Sequence, residues 1–187
     1  MTDVGRKELA VERFAIKDLI AWKNSPRRRP LLVQGARQVG KTWLIREFGQ
    51  THFAAVAYVN FLEDEAMARQ FEGELAPARL LDAVTLYTGV NAKDPNTLVV
   101  FDEIQECPRA LTSLKSFAER SPETALVAAG SLLGVALHRG VSFPVGKVDH
   151  LLIYPLSFDE FLLATGNNLM LDTLRRGDLA LADSLSE

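Results

Sequence analysis

Residues 31–42 read LLVQGARQVGKT, and this stretch decides the fold. The apolar run at 31–34 predicts a short buried strand. The eight residues that leave it, Gly35-Ala36-Arg37-Gln38-Val39-Gly40-Lys41-Thr42, satisfy G-x-x-x-x-G-K-[ST], and residues 42–50 carry helical patterning. A loop of this composition between a strand and a helix is a phosphate cradle. Gly35 and Gly40 are expected in backbone conformations closed to other residues, so that successive N–H groups turn inward. The helix adds the positive end of its dipole. Lys41 supplies a point charge to the β- and γ-phosphates, and the Thr42 hydroxyl offers a ligand to Mg2+. The expected phosphate-binding set is Gly35, Ala36, Arg37, Gln38, Val39, Gly40, Lys41, Thr42 and Trp43.

About 60 residues further on, Leu98-Val99-Val100-Phe101 runs straight into Asp102-Glu103. This reads as a buried strand beside the phosphate strand, its carboxylates emerging at the C-terminal edge where open parallel sheets bind ligands. Asp102 then holds Mg2+ through its water shell, and Glu103 polarises the attacking water as general base. The fourth apolar run, 125–129, ends at Gly130-Ser131. Ser131 stands either as the polar residue that senses the γ-phosphate or as the cap of a following helix.

Further strands are expected at 54–61 and 148–153, and helices at 8–23, 63–71, 78–87 and 110–120. Apolar strands alternating with amphipathic helices predict a three-layer α/β domain on a parallel five-stranded sheet. Residues 1–29 read as an N-terminal helix with a basic linker, 30–166 as the phosphate-binding domain, and 167–187 as the start of an uncompleted region. Two look-alike motifs carry no site. Phe158-Asp159-Glu160 repeats the acidic pair, but Ser157 with Glu160 makes a helix capping box that accounts for it. Asn91-Ala92-Lys93-Asp94 resembles the guanine-reading Asn-Lys-x-Asp with lysine and spacer exchanged, and it precedes the acidic strand. The nucleotide is therefore ATP rather than GTP.

Of 187 residues, 48% are hydrophobic and 24% charged, with a net charge of -3, which fits a globular domain without a global pull toward nucleic acid. Arg27–Arg29 is a local basic knot, read as a solvated linker with phosphate or nucleic-acid contact as the alternative. A single cysteine, Cys107 before Pro108, excludes an internal disulfide and a cysteine zinc site. The N-terminus is too charged for a signal peptide, and no apolar run is long enough to span a bilayer. The cytoplasm is the expected compartment, with no membrane partner.

Residues 30–42 (PLLVQGARQVGKT), 101–119 (FDEIQECPRALTSLKSFAE), 130–134 (GSLLG) and 142–161 (SFPVGKVDHLLIYPLSFDEF) together resemble a widespread set of bacterial and archaeal AAA+ ATPases. In these a P-loop domain is followed by a C-terminal domain. The resemblance covers about residues 8–165 and implies an ATP- and Mg2+-dependent ATPase with the strand order of the additional-strand class. It makes Lys41 and Thr42 the Walker-A pair, Asp102 and Glu103 the Walker-B pair, and Ser131 the sensor. It further implies a homo-oligomer with an arginine finger supplied in trans; Arg139 is the favoured candidate, with Arg109 and Lys147 behind it. Family members continue for a further large domain, so the chain reads as truncated. Alternative readings are a nucleotide-gated switch with negligible hydrolysis and a small-molecule kinase.

Overall fold

The computed structural model describes residues 13–131 and 146–178. They form two compact units, one of residues 15–131 and 146–154, the other of Arg13, Phe14 and residues 155–178. The division differs from the expected boundaries. The first helix, α1 (Ile16–Lys23), buries Leu19 and Trp22 and belongs to the larger unit, whereas the capping-box helix belongs to the smaller one.

In the larger unit β1 (Leu31–Gly35), α2 (Lys41–His52), β2 (Ala55–Asn60), α3 (Glu65–Arg69) and α4 (Pro77–Thr88) are followed by β3 (Thr97–Asp102). A 3-10 turn (Ile104–Glu106), α5 (Pro108–Arg120), β4 (Ala125–Ser131) and β5 (Asp149–Ile153) complete it. The five strands are parallel in the order β2-β3-β4-β1-β5. The acidic strand is therefore not beside the phosphate strand, as its sequence position suggested. β4 stands between them, which is the additional-strand arrangement.

Strand parity builds the three layers. Leu31, Val33, Leu98, Val100, Val127 and Ala129 pack with Leu44, Ile45 and Phe48 of α2 on one face. Leu32, Val99, Phe101, Leu126 and Ala128 pack with Leu81, Val84, Leu114 and Phe117 of α4 and α5 on the other. Both faces are covered, so β3 and β4 are buried at every residue. Each fully buried Leu, Val or Phe stabilises by about 1.5–3 kcal/mol before chain entropy is set against it. Phe101 meets Phe61, Phe71 and Phe117 edge-on at 5.5, 5.5 and 6.2 Å, which locks the last apolar residue of β3 just before its carboxylates.

The basic knot is partly structural: Arg27 and Arg29 are exposed, and Arg28 is half-buried. The Arg28 guanidinium lies 5.5 Å from the Trp22 ring and donates to the carbonyls of Lys23 (3.3 Å) and Glu123 (2.7 Å). Arg29 donates to the Gly146 carbonyl at 2.8 Å. Both sit at the N-terminal edge of the sheet, away from the phosphate loop; Arg27 remains exposed.

In the smaller unit α6 (Phe158–Ala164) opens on the expected capping box, and α7 (Asn168–Arg176) follows. Capping does not exhaust the role of Glu160. Its carboxylate also accepts the Phe14 N–H at 2.7 Å and Arg13 Nε at 3.2 Å. Among the described residues the first helix begins at Ile16, and residues 8–12 of the helix expected from residue 8 lie outside them. Burial tends to raise the Glu160 carboxyl, but the N–H groups of Ser157 and Phe14 and the Arg13 charge outweigh it and hold it low. A group with a depressed folded-state pKa stabilises above its unfolded value, and that contribution is lost as pH falls through the folded one. Glu160→Gln, which removes a negative charge from beside buried Arg13, should cost about 3 kcal/mol at neutral pH. Urea midpoints of the two proteins should converge below the ordinary carboxylate range; a gap that does not change with pH contradicts this.

Candidate functional site

α2 begins at Lys41 on a left-handed Gly40, φ 88°. Its hydrogen-bond ladder starts with the Leu44 N–H on the Gly40 carbonyl at 3.0 Å, so the earlier N–H groups have no helical acceptor. That orphan turn is what a phosphate needs. Gly40 meets the expected conformational demand, but Gly35 does not take positive φ. Its requirement is steric: a Cβ there would lie 2.3 Å from the Ile153 carbonyl oxygen of β5. Ala36, Arg37 and Gln38 are exposed along the loop, Val39 is buried beneath it, and Trp43 is 45% exposed on α2.

Lys41 is buried and donates to the carbonyls of Gly35 (3.1 Å) and Ala36 (2.7 Å). Burial lowers its pKa, and the charges of Glu103 and Asp102 pull it back up. The ammonium is thus bonded to the loop while it feels the charge of the acidic pair.

The acidic pair meets the loop directly. Asp102 is 3% exposed, and a buried carboxylate is sustained only by donors. Oδ2 accepts Thr42 Oγ1 at 2.8 Å and the Tyr58 hydroxyl at 2.5 Å, while Oδ1 accepts the Glu103 N–H at 2.9 Å. Strand parity explains the convergence. Asp102 follows Val100 on the sheet face covered by α2, and Tyr58 pairs with Val100 in the β2–β3 register. Glu103, at φ 49° and ψ 44°, turns the chain out of β3, and its Oε2 accepts Gln105 Nε2. Among the described residues the two non-glycine residues at positive φ are Gln38 and Glu103, one on each side of this site. Such conformations cost about 1–3 kcal/mol each and concentrate at functional positions.

Ser131 ends β4 in register with Gly35, so it lies beside the first residue of the loop, buried. Its alternative role, as cap of a following helix, and the favoured finger Arg139 both lie outside the described residues. The other finger candidates are engaged elsewhere. Arg109 clamps the carbonyls of Phe71 (2.6 Å) and Gly73 (2.8 Å). Lys147 pairs with Glu119 at 3.1 Å near the opposite edge of the sheet. The Asn91–Asp94 look-alike is a turn before β3, with Lys93 paired to Asp82 at 2.5 Å. Cys107 is buried, and burial pushes its thiol up, as suits a packing residue.

Three residues escaped the sequence: Tyr58, Gln105 and Arg46, whose guanidinium lies 4.3 Å from the Tyr58 ring. Gln105 carried a weak signal as a polar residue two past Glu103. Tyr58 and Arg46 carried none, because Tyr58 meets Asp102 only through strand register and Arg46 joins the site through the Tyr58 ring.

The fold resembles that of a known Walker-type ATPase. The Walker-type ATPase paby2304 of Pyrococcus abyssi superposes with a TM-score of 0.53 at 18% identity, over 92% of this chain and 60% of that one. PCH-2 of C. elegans gives 0.45 at 16% identity, over 87% of this chain and 46% of that one. This chain therefore spans less than two thirds of either neighbour. Comparison with the curated proteins finds no match. Among the described residues no helix is long and apolar enough to cross a membrane. Residues 27–162 match the family described as an AAA domain, and they include the loop, the acidic strand and Ser131. With the phosphate loop, the intervening strand and the acidic pair all in place, the chain belongs to the AAA domain family, with the nucleotide-binding architecture of its ATPases.

Proposed function

We propose that this domain binds ATP with Mg2+ and hydrolyses it, and that hydrolysis drives a conformational change. The observation that carries the reading is the 2.8 Å contact between Thr42 Oγ1 and Asp102 Oδ2, which joins the phosphate loop to the acidic strand. The two groups present oxygen donors only, the preference of Mg2+, which is held by one or two side chains together with substrate phosphates. Bound there by Thr42 and, through water, by Asp102, the ion would neutralise charge on the phosphates.

The chain's own groups divide the remaining work. The N–H groups at the start of α2 and the Lys41 ammonium bind the β- and γ-phosphates. Glu103 takes a proton from water as the water oxygen attacks the γ-phosphorus. The bond to the bridging oxygen breaks and ADP leaves with that electron pair. Ser131, beside Gly35, orients the water or the γ-phosphate. Nucleic acid is a weaker partner assignment, because Arg28 and Arg29 are engaged by carbonyls.

One observation favours a second reading, a nucleotide-gated switch. Of the three finger candidates Arg109 and Lys147 are committed to other partners, which leaves Arg139 of a neighbouring copy to contribute the charge, about 10³–10⁵ in rate, and hydrolysis is slow without it. Phosphate release per chain, measured against protein concentration at saturating ATP·Mg2+, separates the two. A rate that climbs with concentration is expected for a finger in trans. Tight ATP binding without phosphate release at any concentration supports the switch instead.

A further inference from the structure

We propose that Tyr58 is a positioning residue for the Asp102 carboxylate, holding it in the orientation in which it serves the divalent cation. The proposal rests on the reading of Asp102 as the cation-side carboxylate and adds a residue that no motif marks.

The geometry is specific. Tyr58 lies on β2, and its register partner on β3 is Val100, two residues before Asp102. With strands about 4.8 Å apart and a rise of about 3.3 Å per residue, such diagonal neighbours are about 8 Å apart at Cα, a gap that the length of a tyrosine side chain can bridge. The hydroxyl reaches Oδ2 at 2.5 Å, the same oxygen that accepts Thr42 Oγ1 at 2.8 Å. The other oxygen is held by the Glu103 N–H at 2.9 Å. Three donors, from β2, from α2 and from the residue that follows β3, thus set the carboxylate plane.

The phenol is itself held. Arg46, one turn along α2 from Thr42, places its guanidinium 4.3 Å from the ring, a distance at which a cation is attracted to the aromatic face. A phenol is protonated near neutrality and so donates its hydrogen to the carboxylate. Partners of this kind behind a metal-binding group typically change metal affinity or activity 10–100-fold when removed.

The test is Tyr58→Phe, which deletes one hydroxyl and keeps the ring on the sheet, compared with wild type and Asp102→Asn. Affinity for a fluorescent ATP analogue is measured in EDTA and then across a MgCl2 titration; Mn2+ replaces Mg2+ for an EPR reading of bound metal. Tyr58→Phe should match wild type in EDTA and need about ten-fold more Mg2+ for half-maximal effect, with a matching loss of bound Mn2+. A purely structural role for Tyr58 would lower affinity equally with and without metal, which overturns the proposal. So does a Mg2+ requirement that stays the same or falls in Tyr58→Phe while Asp102→Asn shifts it. If Asp102→Asn leaves the requirement unchanged, the cation role of Asp102 is gone and Tyr58 loses its task with it.

Discussion

Glu103→Gln is expected to keep ATP affinity near the wild-type value while phosphate release falls about 10²–10⁴-fold, the usual contribution of a positioned general base. The amide has the same length and can still meet Gln105 Nε2 through its oxygen, so the turn at φ 49° keeps its partner. What it cannot do is accept the proton of the attacking water. Removing a proton acceptor without removing phosphate contacts should leave the binding step untouched and slow only the chemical one. Equilibrium binding of ATP·Mg2+ and single-turnover phosphate release measure the two separately. Wild-type release in this variant would falsify the assignment of Glu103 as base, and a parallel loss of binding would mean that the carboxylate holds the nucleotide site together.

Lys41→Ala should act at the other step. A hydrogen bond to a charged group contributes about 1.5–3 kcal/mol, and each 1.4 kcal/mol is a factor of ten, so ATP affinity should fall roughly 10–150-fold. The fold should survive. The ammonium is buried at the cost of a lowered pKa, and it donates to two loop carbonyls rather than to the sheet core. Calorimetric titration with ATP, with the melting temperature as control, reads both. Lys41→Arg is the informative companion, since it keeps the charge but replaces a compact donor by a planar fork. Unchanged affinity in Lys41→Ala removes the phosphate-loop reading altogether.

The smaller surprises share one origin. Arg28, Arg29 and Arg109 look like free charge in the sequence, yet each donates to main-chain carbonyls far along the chain. Long cationic side chains reach distant orphan acceptors, and nothing near them in sequence announces those acceptors. Glu160 shows the same effect on a local motif. Its capping box was readable three residues away, whereas its hold on Arg13 and Phe14 spans nearly the whole chain. α5 begins at Pro108 rather than at residue 110, because proline is well suited to a first helical turn.

From sequence alone came the strand-loop-helix at residues 31–50, the apolar strand that delivers Asp102 and Glu103, and the α/β alternation. These are carried by backbone preferences and apolar periods that act over a few residues and so remain visible in one dimension. The inserted strand, the place that β4 fills, was already implied by the family resemblance; only the tertiary structure set β2 against β3 so that Tyr58 reaches Asp102. It also gave Gly35 its reason, the carbonyl of Ile153 pressing where a side chain would start. Strand order and register come from pairing between segments far apart in the chain, and many buried apolar strands could pair equally well by composition. Their choice belongs to the packed core.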